Sequence, residues 1–226
     1  MTTAINSTYL RSHPLFANVS EDKISAIAAS MKVKTVSRGE TISYGDGGYS
    51  KIYLLFFGKI KLAAFGEGEH EMIKDIITSP DVFGNLRLDG KPSKDEYAAS
   101  LTNTALIGIF TYLDFKDLLQ QHSMMAIAYA NIVTEKLNRL EHRHADLVFC
   151  DTKSRLINFM KSWAQSDGNK IGGKIILNNY LTHADIANSI ASSRQSVNII
   201  LNELRDAGML VYNRKQIELN NAFYLN

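Results

Sequence analysis

Four polar residues close to the C-terminus have side chains that could recognise another molecule directly: Ser193, Arg194, Gln195 and Asn198. They fall within one and a half turns of a predicted helix, so they can share one exposed face. An arginine guanidinium pairs with guanine through two parallel hydrogen bonds, and glutamine or asparagine pairs in a similar way with adenine. Residue types in this pattern predict the reading of base edges in the major groove of DNA.

Two short helices joined by a tight turn must position these four residues. Thr182 is the predicted N-cap of the first helix, and Asp185, three residues later, completes a capping box. Ala191 falls in the turn, Ser193 can cap the second helix, and Gly208 is the glycine that ends it. The buried face of the second helix is predicted from apolar residues at helical spacing: Val197, Ile200, Leu201 and Leu204. This layout predicts a DNA-binding helix-turn-helix, and an ordinary helical hairpin inside a core is the alternative.

The predicted helix-turn-helix lies within a C-terminal domain, residues 151–226. Short strands at 210–212 and 216–219 predict a wing with Lys215 at its turn, where a cation would contact phosphate. The other predicted elements of this domain are a helix capped by Asp151 over 152–164, a loop over 166–173 and a strand over 175–177. The complete set of predicted DNA contacts is Thr182, Ser193, Arg194, Gln195, Ser196, Asn198 and Lys215.

Charge is distributed unevenly along the chain. Residues 151–226 hold nine Lys and Arg against six Asp and Glu, whereas residues 1–150 hold 16 against 17. The net charge of the whole chain is +2 at pH 7. The basic excess therefore coincides with the predicted DNA-binding domain, because phosphate contacts need a few well-placed cations and not a high overall charge.

The N-terminal part of the chain changes from helical to strand periodicity. A short helix is predicted within residues 14–31, with Ser20 as its N-cap. From about residue 32 to residue 110, short runs rich in β-branched and aromatic residues alternate with turn signals, which predicts a β-roll or jelly roll. The tyrosines assigned to packing inside this roll are Tyr44, Tyr49 and Tyr53.

A long helix over residues 123–149 carries a heptad pattern. Spacings of four and three alternate for three heptads through Ala126, Ala130, Val133, Leu137, Leu140, His144 and Leu147. A seam this narrow predicts a parallel coiled coil between two copies of the chain, and packing within one chain is the alternative. The predicted fold class is α+β, with a jelly-roll domain over 1–122, a dimerisation helix and hinge over 123–150, and a winged helix-turn-helix domain over 151–226.

Composition excludes several classes of protein. No apolar run reaches the roughly 18 residues that span a membrane, and the N-terminus lacks the basic start and apolar core of a signal peptide. The single cysteine, Cys150, suits a reducing compartment, so we expect a cytoplasmic protein without a membrane partner. No glycine-rich phosphate loop opens a helix and no catalytic G-x-S-x-G or H-E-x-x-H motif occurs, so we expect no enzyme.

The order of predicted elements resembles the Crp/Fnr family of bacterial transcription regulators over nearly the whole chain. The matching stretches are RGETISYGDGGYSKIYLLFFGKIKL, DVFGNLRLDG, FCDTKSRLINFM and LTHADIANSIASSRQSVNIILNELRDAGML. The resemblance implies a homodimer that binds a palindromic operator in double-stranded DNA, with its two half-sites in successive major grooves. It also implies an effector bound between the roll and the long helix, and contact with RNA polymerase.

The sequence departs from the family where cyclic-nucleotide-binding members hold their ligand. In those members the ligand-holding segment of the roll, which we call the cassette and which starts here in DVFGNLRLDG, carries a glutamate after its glycine. Its far end carries an arginine followed by a small hydroxyl residue. Here Asn85 follows Gly84, and Glu96 and Tyr97 stand at the arginine and hydroxyl positions, with Lys94 and Asp95 just before them. A carboxylate would repel the cyclic phosphate, so we expect no binding of cAMP or cGMP unless a shifted loop brings Lys94 into play. The effector pocket implied by the resemblance comprises Gly84, Asn85, Leu86, Glu96, Tyr97, Leu140 and Glu141.

The predicted reading helix also departs from the family pattern. Nucleotide-dependent members present an arginine and a glutamate followed later by a second arginine, whereas this chain has Arg194, Gln195 and then Ile199. Gln195 prefers adenine, where glutamate would accept from cytosine. Ile199 offers only an apolar contact or belongs to the core. Ala191 stands where the turn usually has glycine, and alanine costs about 1 kcal/mol if that position requires a positive φ.

Several modes of sensing stay open at this point. Because some family members sense gases through haem, His142 or His144 could be a ligand; alternatively, His144 sets the register of the coiled coil and His142 is solvated. Cys150, at the hinge, is either a redox sensor or a small apolar residue. We expect no metal and no resident cofactor, and the effector is unknown. A further alternative is a roll that has lost its effector and serves as the scaffold of a constitutive DNA-binding dimer.

Overall fold

The computed structural model describes residues 2–43, 50–66, 70–89, 96–220 and 223. The chain separates into two compact units, Met1–Arg139 and Leu140–Asn226. The predictions for Tyr44, Tyr49, Lys94 and Asp95 fall outside the described residues. Within the described ranges, no helix is long and apolar enough to cross a membrane.

The first unit is built on two antiparallel sheets that form the predicted jelly roll. Its strands are β1 (Lys32–Ser37), β2 (Thr41–Ser43), β3 (Lys51–Phe57), β4 (Lys59–Phe65), β5 (Glu71–Thr78), β6 (Asp81–Gly84), β7 (Glu96–Ser100) and β8 (Thr104–Thr111). One sheet has the order β1-β8-β3-β6 and the other the order β2-β7-β4-β5. The expected α+β class with an N-terminal roll is thereby confirmed.

Alternating residues of these strands fill the space between the two sheets. The buried cluster there consists of Val36, Ile42, Tyr53, Leu55, Ile60, Ile77, Phe83, Ala98, Ala105 and Ile107. Tyr53 stacks on Phe83 with ring centroids 5.0 Å apart, which confirms its predicted packing role. The period of two in the sequence therefore reports which face of each strand points inward.

Helices cover the outer face of the first sheet. They are α1 (Thr2–Ser12), α2 (Glu21–Ser30) and α3 (Tyr112–Gln121), and a single 3₁₀ turn covers Pro14–Phe16. The helix predicted within residues 14–31 is therefore shorter, although Ser20 does take its N-cap position. Helix α1 was not predicted from the sequence, because its Thr, Ser and Asn residues have low helix propensity and its position depends on the burial of Leu10.

The long helix α4 (Ser123–Phe149) has the predicted bounds. Two contacts tie its first half to the roll. The hydroxyl of Tyr129 donates to the carbonyl of Leu86 at 2.5 Å, and Lys136 Nζ lies 2.6 Å from Asp81 Oδ2. Both contacts are partly buried, so they hold this half of the helix against the roll.

The second unit carries the C-terminal helices and a small antiparallel sheet. Its elements after α4 are α5 (Thr152–Asp167), β9 (Asn169–Ile171), β10 (Lys174–Asn178), α6 (His183–Ser189), α7 (Arg194–Asp206), β11 (Leu210–Tyr212) and β12 (Gln216–Leu219). The sheet order is β11-β12-β10-β9. Asp151 caps α5 as predicted, because its Oδ1 accepts from the Ser154 N–H at 2.7 Å.

The loop predicted over residues 166–173 is wrong in part. Helix α5 continues through Asp167, and β9 pairs with β10 across a tight turn. Gly172 and Gly173 form that turn with φ of 56° and 77°. The stretch is polar because β9 is an exposed edge strand, so polarity there does not indicate irregular backbone.

Candidate nucleic-acid interface

The first helix of the predicted helix-turn-helix begins with a complete capping box. The Asp185 N–H donates to Thr182 Oγ1 at 3.0 Å, and the Thr182 N–H donates to Asp185 Oδ2 at 2.9 Å. The Thr182 hydroxyl also donates to the same carboxylate oxygen at 2.7 Å. Thr182 is exposed but its hydroxyl is engaged, so its first role is to fix the start of α6.

The turn between α6 and α7 passes through a left-handed residue that is not glycine. Ala191 has φ +50°, and the Ser192 N–H donates to the Ala187 carbonyl at 3.0 Å. This is the hydrogen bond that closes a Schellman-type helix end. The end of α7 shows the same motif with the usual residue, because Gly208 has φ +69°.

Two arginines hold the carbonyl groups of this turn in place. Arg155 of α5 donates through Nε to the Ile190 carbonyl at 3.0 Å and through Nη2 to the Ala191 carbonyl at 3.3 Å. Its Nη1 also donates to the Cys150 carbonyl at 3.1 Å, at the end of α4. Arg143 of α4 donates to the Ser189 carbonyl at 3.3 Å. The strained turn is therefore fixed from outside the helix-turn-helix itself.

Helix α7 exposes the residues predicted to read bases. Ser193 caps it, with Oγ accepting from the Ser196 N–H at 3.0 Å. The predicted inner residues Val197, Ile200, Leu201 and Leu204 are all buried. Arg194, Gln195 and Asn198 are exposed, and none of these three side chains makes a hydrogen bond or ion pair to the described part of the chain.

Ile199 belongs to the same exposed surface. Its side chain is 50% exposed, so it is not a core residue. We call the surface formed by Arg194, Gln195, Asn198 and Ile199 the reading face. Further along the helix, Asn202 accepts a hydrogen bond from the Tyr212 hydroxyl at 3.1 Å, so the reading face ends at Ile199.

The wing places a cation beside the helix-turn-helix domain. Strands β11 and β12 pair from Leu210 with Leu219 to Tyr212 with Ile217. The side chain of Asn213 accepts from the N–H groups of Lys215 and Gln216, at 2.8 and 2.9 Å, which shapes the turn. Lys215 is exposed at that turn. The geometry suits a phosphate contact that carries no sequence information.

The predicted seam on α4 is apolar and mostly exposed. Ala126 and Val133 are partly buried because they pack against the core of the first unit. Leu137 is 52% exposed, and Ala130, Leu140, His144 and Leu147 are exposed as well. Ile127 and Val148, each one residue after a seam position, extend the apolar strip. Apolar side chains in such a continuous strip indicate an interaction surface.

The first part of the predicted effector pocket is occupied by contacts within the roll. Gly84 has φ +99°, and a Cβ there would lie 2.7 Å from the Lys51 carbonyl oxygen, so the position requires glycine. Asn85 is 1% exposed. Its Nδ2 donates to Ser50 Oγ at 2.9 Å, and its Oδ1 accepts from the Arg87 N–H at 3.2 Å. Asn85 therefore acts as a bridge within the fold.

The far end of the cassette is also engaged internally. Glu96 pairs with Lys74, and the Tyr97 hydroxyl donates to Glu71. Burial, followed by the hydrogen bond to Glu71, raises the pKa of Tyr97 to about 12. Lys61 Nζ lies 2.6 Å from Glu71 Oε1, and this ion pair compensates the negative charge of the carboxylate. Leu86 packs against the core of the first unit, whereas Leu140 and Glu141 are exposed residues of the second unit.

The environment of Cys150 disfavours thiolate chemistry. Partial burial and the carboxylate of Asp146 raise the pKa of the thiol, and Sγ donates towards Asp146 Oδ1 at 3.6 Å. A redox-sensing cysteine needs the opposite shift. His142 and His144 are both exposed on α4, and the described residues contain no group of three or more His, Cys, Asp or Glu that could hold a metal.

The residues that position the helix-turn-helix from a distance were not predicted from the sequence. Arg155 lies in the stretch FCDTKSRLINFM, but the two carbonyl groups of the turn that it holds are more than 30 positions away in sequence. Asn179 is similar, because its side chain donates to the Asn213 carbonyl at 2.8 Å and braces the wing. An arginine near the N-terminus of a predicted helix was the available signal for Arg155, but nothing local identifies its distant partners.

Comparison with known proteins agrees with this geometry. Residues 154–226 match the family described as the Crp-like helix-turn-helix domain. A CRP-like cAMP-activated global transcriptional regulator of Mycobacterium tuberculosis is 22% identical over 209 residues, which is 92% of each chain. A global nitrogen regulator of Synechocystis is 24% identical over 195 residues, covering 86% of this chain and 87% of the relative.

Solved structures show the same fold. A CooA mutant from Carboxydothermus hydrogenoformans superposes with a TM-score of 0.77 at 19% identity, covering 94% of each chain. A roll, a long helix and a winged helix-turn-helix in this order define a class of DNA-binding transcription regulators. Residues 154–226 belong to the Crp-like helix-turn-helix family, and nearly the whole chain is similar to regulators of the Crp/Fnr family.

Proposed function

We propose that the chain acts as a homodimer that binds a palindromic DNA operator sequence-specifically. The observation that carries this proposal is the reading face, where Arg194, Gln195 and Asn198 are exposed and make no hydrogen bond or ion pair to the described residues, on a helix fixed at both ends. Within the groove, Arg194 would pair with guanine, and Gln195 and Asn198 with adenine. Ser193 and Ser196 would lie near the DNA backbone at the helix start, and Lys215 would contact phosphate.

The exposed strip on α4 supports the dimer. A two-fold axis through the seam would bury Leu137, Leu140 and Leu147 of both copies and remove a strip of apolar surface from water. Two copies of α7 would then enter successive major grooves, about 34–36 Å apart. RNA polymerase is the expected protein partner of a regulator bound at a promoter.

We further propose that the effector, if the roll takes one, is not cAMP. Asn85, Glu96 and Tyr97 stand where nucleotide binders place their ligand-holding groups, and each is already bonded inside the roll. The relatives do not identify an effector for this chain, because one is described as cAMP-activated and another as a nitrogen regulator. A constitutive dimer with a scaffold roll and a sensor of another small molecule both fit these contacts, and so does a haem sensor.

Selection from random DNA tests the proposal directly. The full-length protein is incubated with a random duplex library, and the bound sequences are amplified and read over several rounds. We expect a palindrome whose half-sites are centred 10–10.5 base pairs apart, with guanine N7 protected from methylation in two successive major grooves. Enrichment of no sequence above the starting library would contradict sequence-specific binding.

A further inference from the structure

Ile199 is an apolar side chain at the end of an otherwise polar surface. It is 50% exposed, although the residues that α7 buries, Val197 and Ile200, lie close to it in sequence. Around a helix axis it lies about 40° from Gln195 and one turn beyond it. It therefore shares the side of α7 that Gln195 presents outward, and the buried stripe is on the other side.

The neighbours of Ile199 further along α7 are held within the domain. Asn202 bonds to the Tyr212 hydroxyl at 3.1 Å, and Glu203 pairs with Lys153 of α5 at 3.1 Å. Arg194, Gln195 and Asn198, on its other side, make no such bonds within the described residues. Ile199 is therefore the last residue of an open patch and not the edge of an internal contact.

We propose that Ile199 is a specificity determinant that selects thymine through its 5-methyl group. This inference rests on the proposed function, since it assumes that α7 enters the major groove. The thymine methyl is the apolar group that the major groove exposes, and isoleucine can make no hydrogen bond to the other base edges. One helical turn separates Ile199 from Gln195, about 6 Å along the axis, so the thymine lies one or two base pairs from the base read by Gln195.

Deoxyuridine provides the test, because it pairs like thymine but lacks the methyl group. Each thymine of the selected operator is replaced in turn, symmetrically in both half-sites, and affinity is measured for the wild type and for Ile199→Ala. At one position we expect the affinity of the wild type to fall about fourfold per half-site, or about 15-fold for the dimer. Ile199→Ala should bind the thymine and deoxyuridine duplexes equally.

Ile171→Ala is the matched control, because Ile171 is 59% exposed in the same domain but lies on β9. It should discriminate between thymine and deoxyuridine as the wild type does. The assignment to Ile199 is wrong if no deoxyuridine substitution lowers the DNA affinity of the wild type, or if Ile199→Ala loses as much affinity as the wild type does. In either case the proposed function stands. If the wild type selects no sequence at all, both fail together.

Discussion

The reading face of α7 and the cassette of the roll use polar residues in opposite ways. On the reading face, Arg194 and Asn198 are exposed and make no hydrogen bond within the described residues. In the cassette, Asn85 is buried and bonded to Ser50 and to the backbone of Arg87, and Tyr97 is bonded to Glu71. The polar groups of the reading face are available to bind a ligand. Those of the cassette already form hydrogen bonds within the fold.

The contrast separates residues that serve recognition from residues that serve stability in a chain whose effector is unknown. A buried polar group that is satisfied inside the fold contributes to stability, and its removal leaves its partners unpaired. An exposed, unpaired group contributes little to stability and is available for recognition. Variants at the two surfaces should therefore change different measured quantities, and variants elsewhere show what supports the reading face.

The largest effect should come from breaking the seam that brings two reading faces together. Leu137→Glu would place two like charges across the two-fold axis, so we expect monomers in light scattering. A monomer binds only one half-site, whereas a dimer binds both half-sites at once, so operator affinity should fall by about 100-fold or more.

Leu113→Glu is the control for the seam variant. Leu113 is 61% exposed on α3, outside the seam, so the same substitution there should leave both the dimer and operator affinity unchanged. A dimer that persists in Leu137→Glu would place the interface elsewhere on the chain.

Two asparagines provide the sharpest form of the comparison. Asn85→Ala should lower the free energy of unfolding by about 1–3 kcal/mol, because Ser50 and the Arg87 N–H each lose a hydrogen bond to Asn85. Asn198→Ala should change stability by less than about 0.5 kcal/mol but weaken operator binding. Urea unfolding and operator titration of both variants give the four values. Equal losses of stability in the two variants would remove the distinction between the surfaces.

A smaller effect, on the free energy of unfolding, is expected at the turn that positions the reading face. Ala191→Gly should raise the free energy of unfolding by about 0.5–1 kcal/mol, because φ +50° strains a residue with a Cβ. Ala207→Gly is the matched control, since Ala207 has φ −76° and should lose stability with glycine. Urea midpoints measure both changes. A loss of stability in both variants would mean that the left-handed backbone at Ala191 is not strained.

We predict that cAMP does not change the thermal stability of the protein. A ligand present at 100 times its dissociation constant stabilises its protein by about 2.7 kcal/mol, which a thermal scan resolves easily. With 1 mM cAMP we expect the same Tm as with 1 mM AMP. A saturable rise in Tm with micromolar cAMP would show that the internal bonds of Asn85 and Glu96 give way to a nucleotide.

The sequence predicted the helix-turn-helix well because its determinants are local. Caps at Thr182 and Ser193, the glycine at 208 and the apolar spacing of α7 each act within about one turn of helix. The bounds of α4 followed from its long period for the same reason. Local hydrogen bonds and periodicity leave a readable pattern even in a single sequence.

What the sequence could not predict depends on contacts between distant residues. Arg155 reaches carbonyls 35 and 36 positions away, and the internal bond of Asn85 spans 35 positions. Helix α1 has weak propensity and is held by burial of Leu10. The exposure of Ile199 also required the structure, because an isoleucine near Ile200 is equally consistent with the core in sequence alone.

The most direct measurement of the central claim compares two duplexes and three variants. Affinities are measured on the selected operator and on a scrambled duplex of the same composition. Arg194→Ala should lose about 1–3 kcal/mol per half-site on the operator and little on the scrambled duplex, because phosphate contacts remain. Lys215→Ala should weaken both duplexes alike, and Arg205→Ala, ion-paired with Asp206 at the far end of α7, should change neither. Equal losses on the two duplexes for Arg194→Ala would contradict base reading by α7.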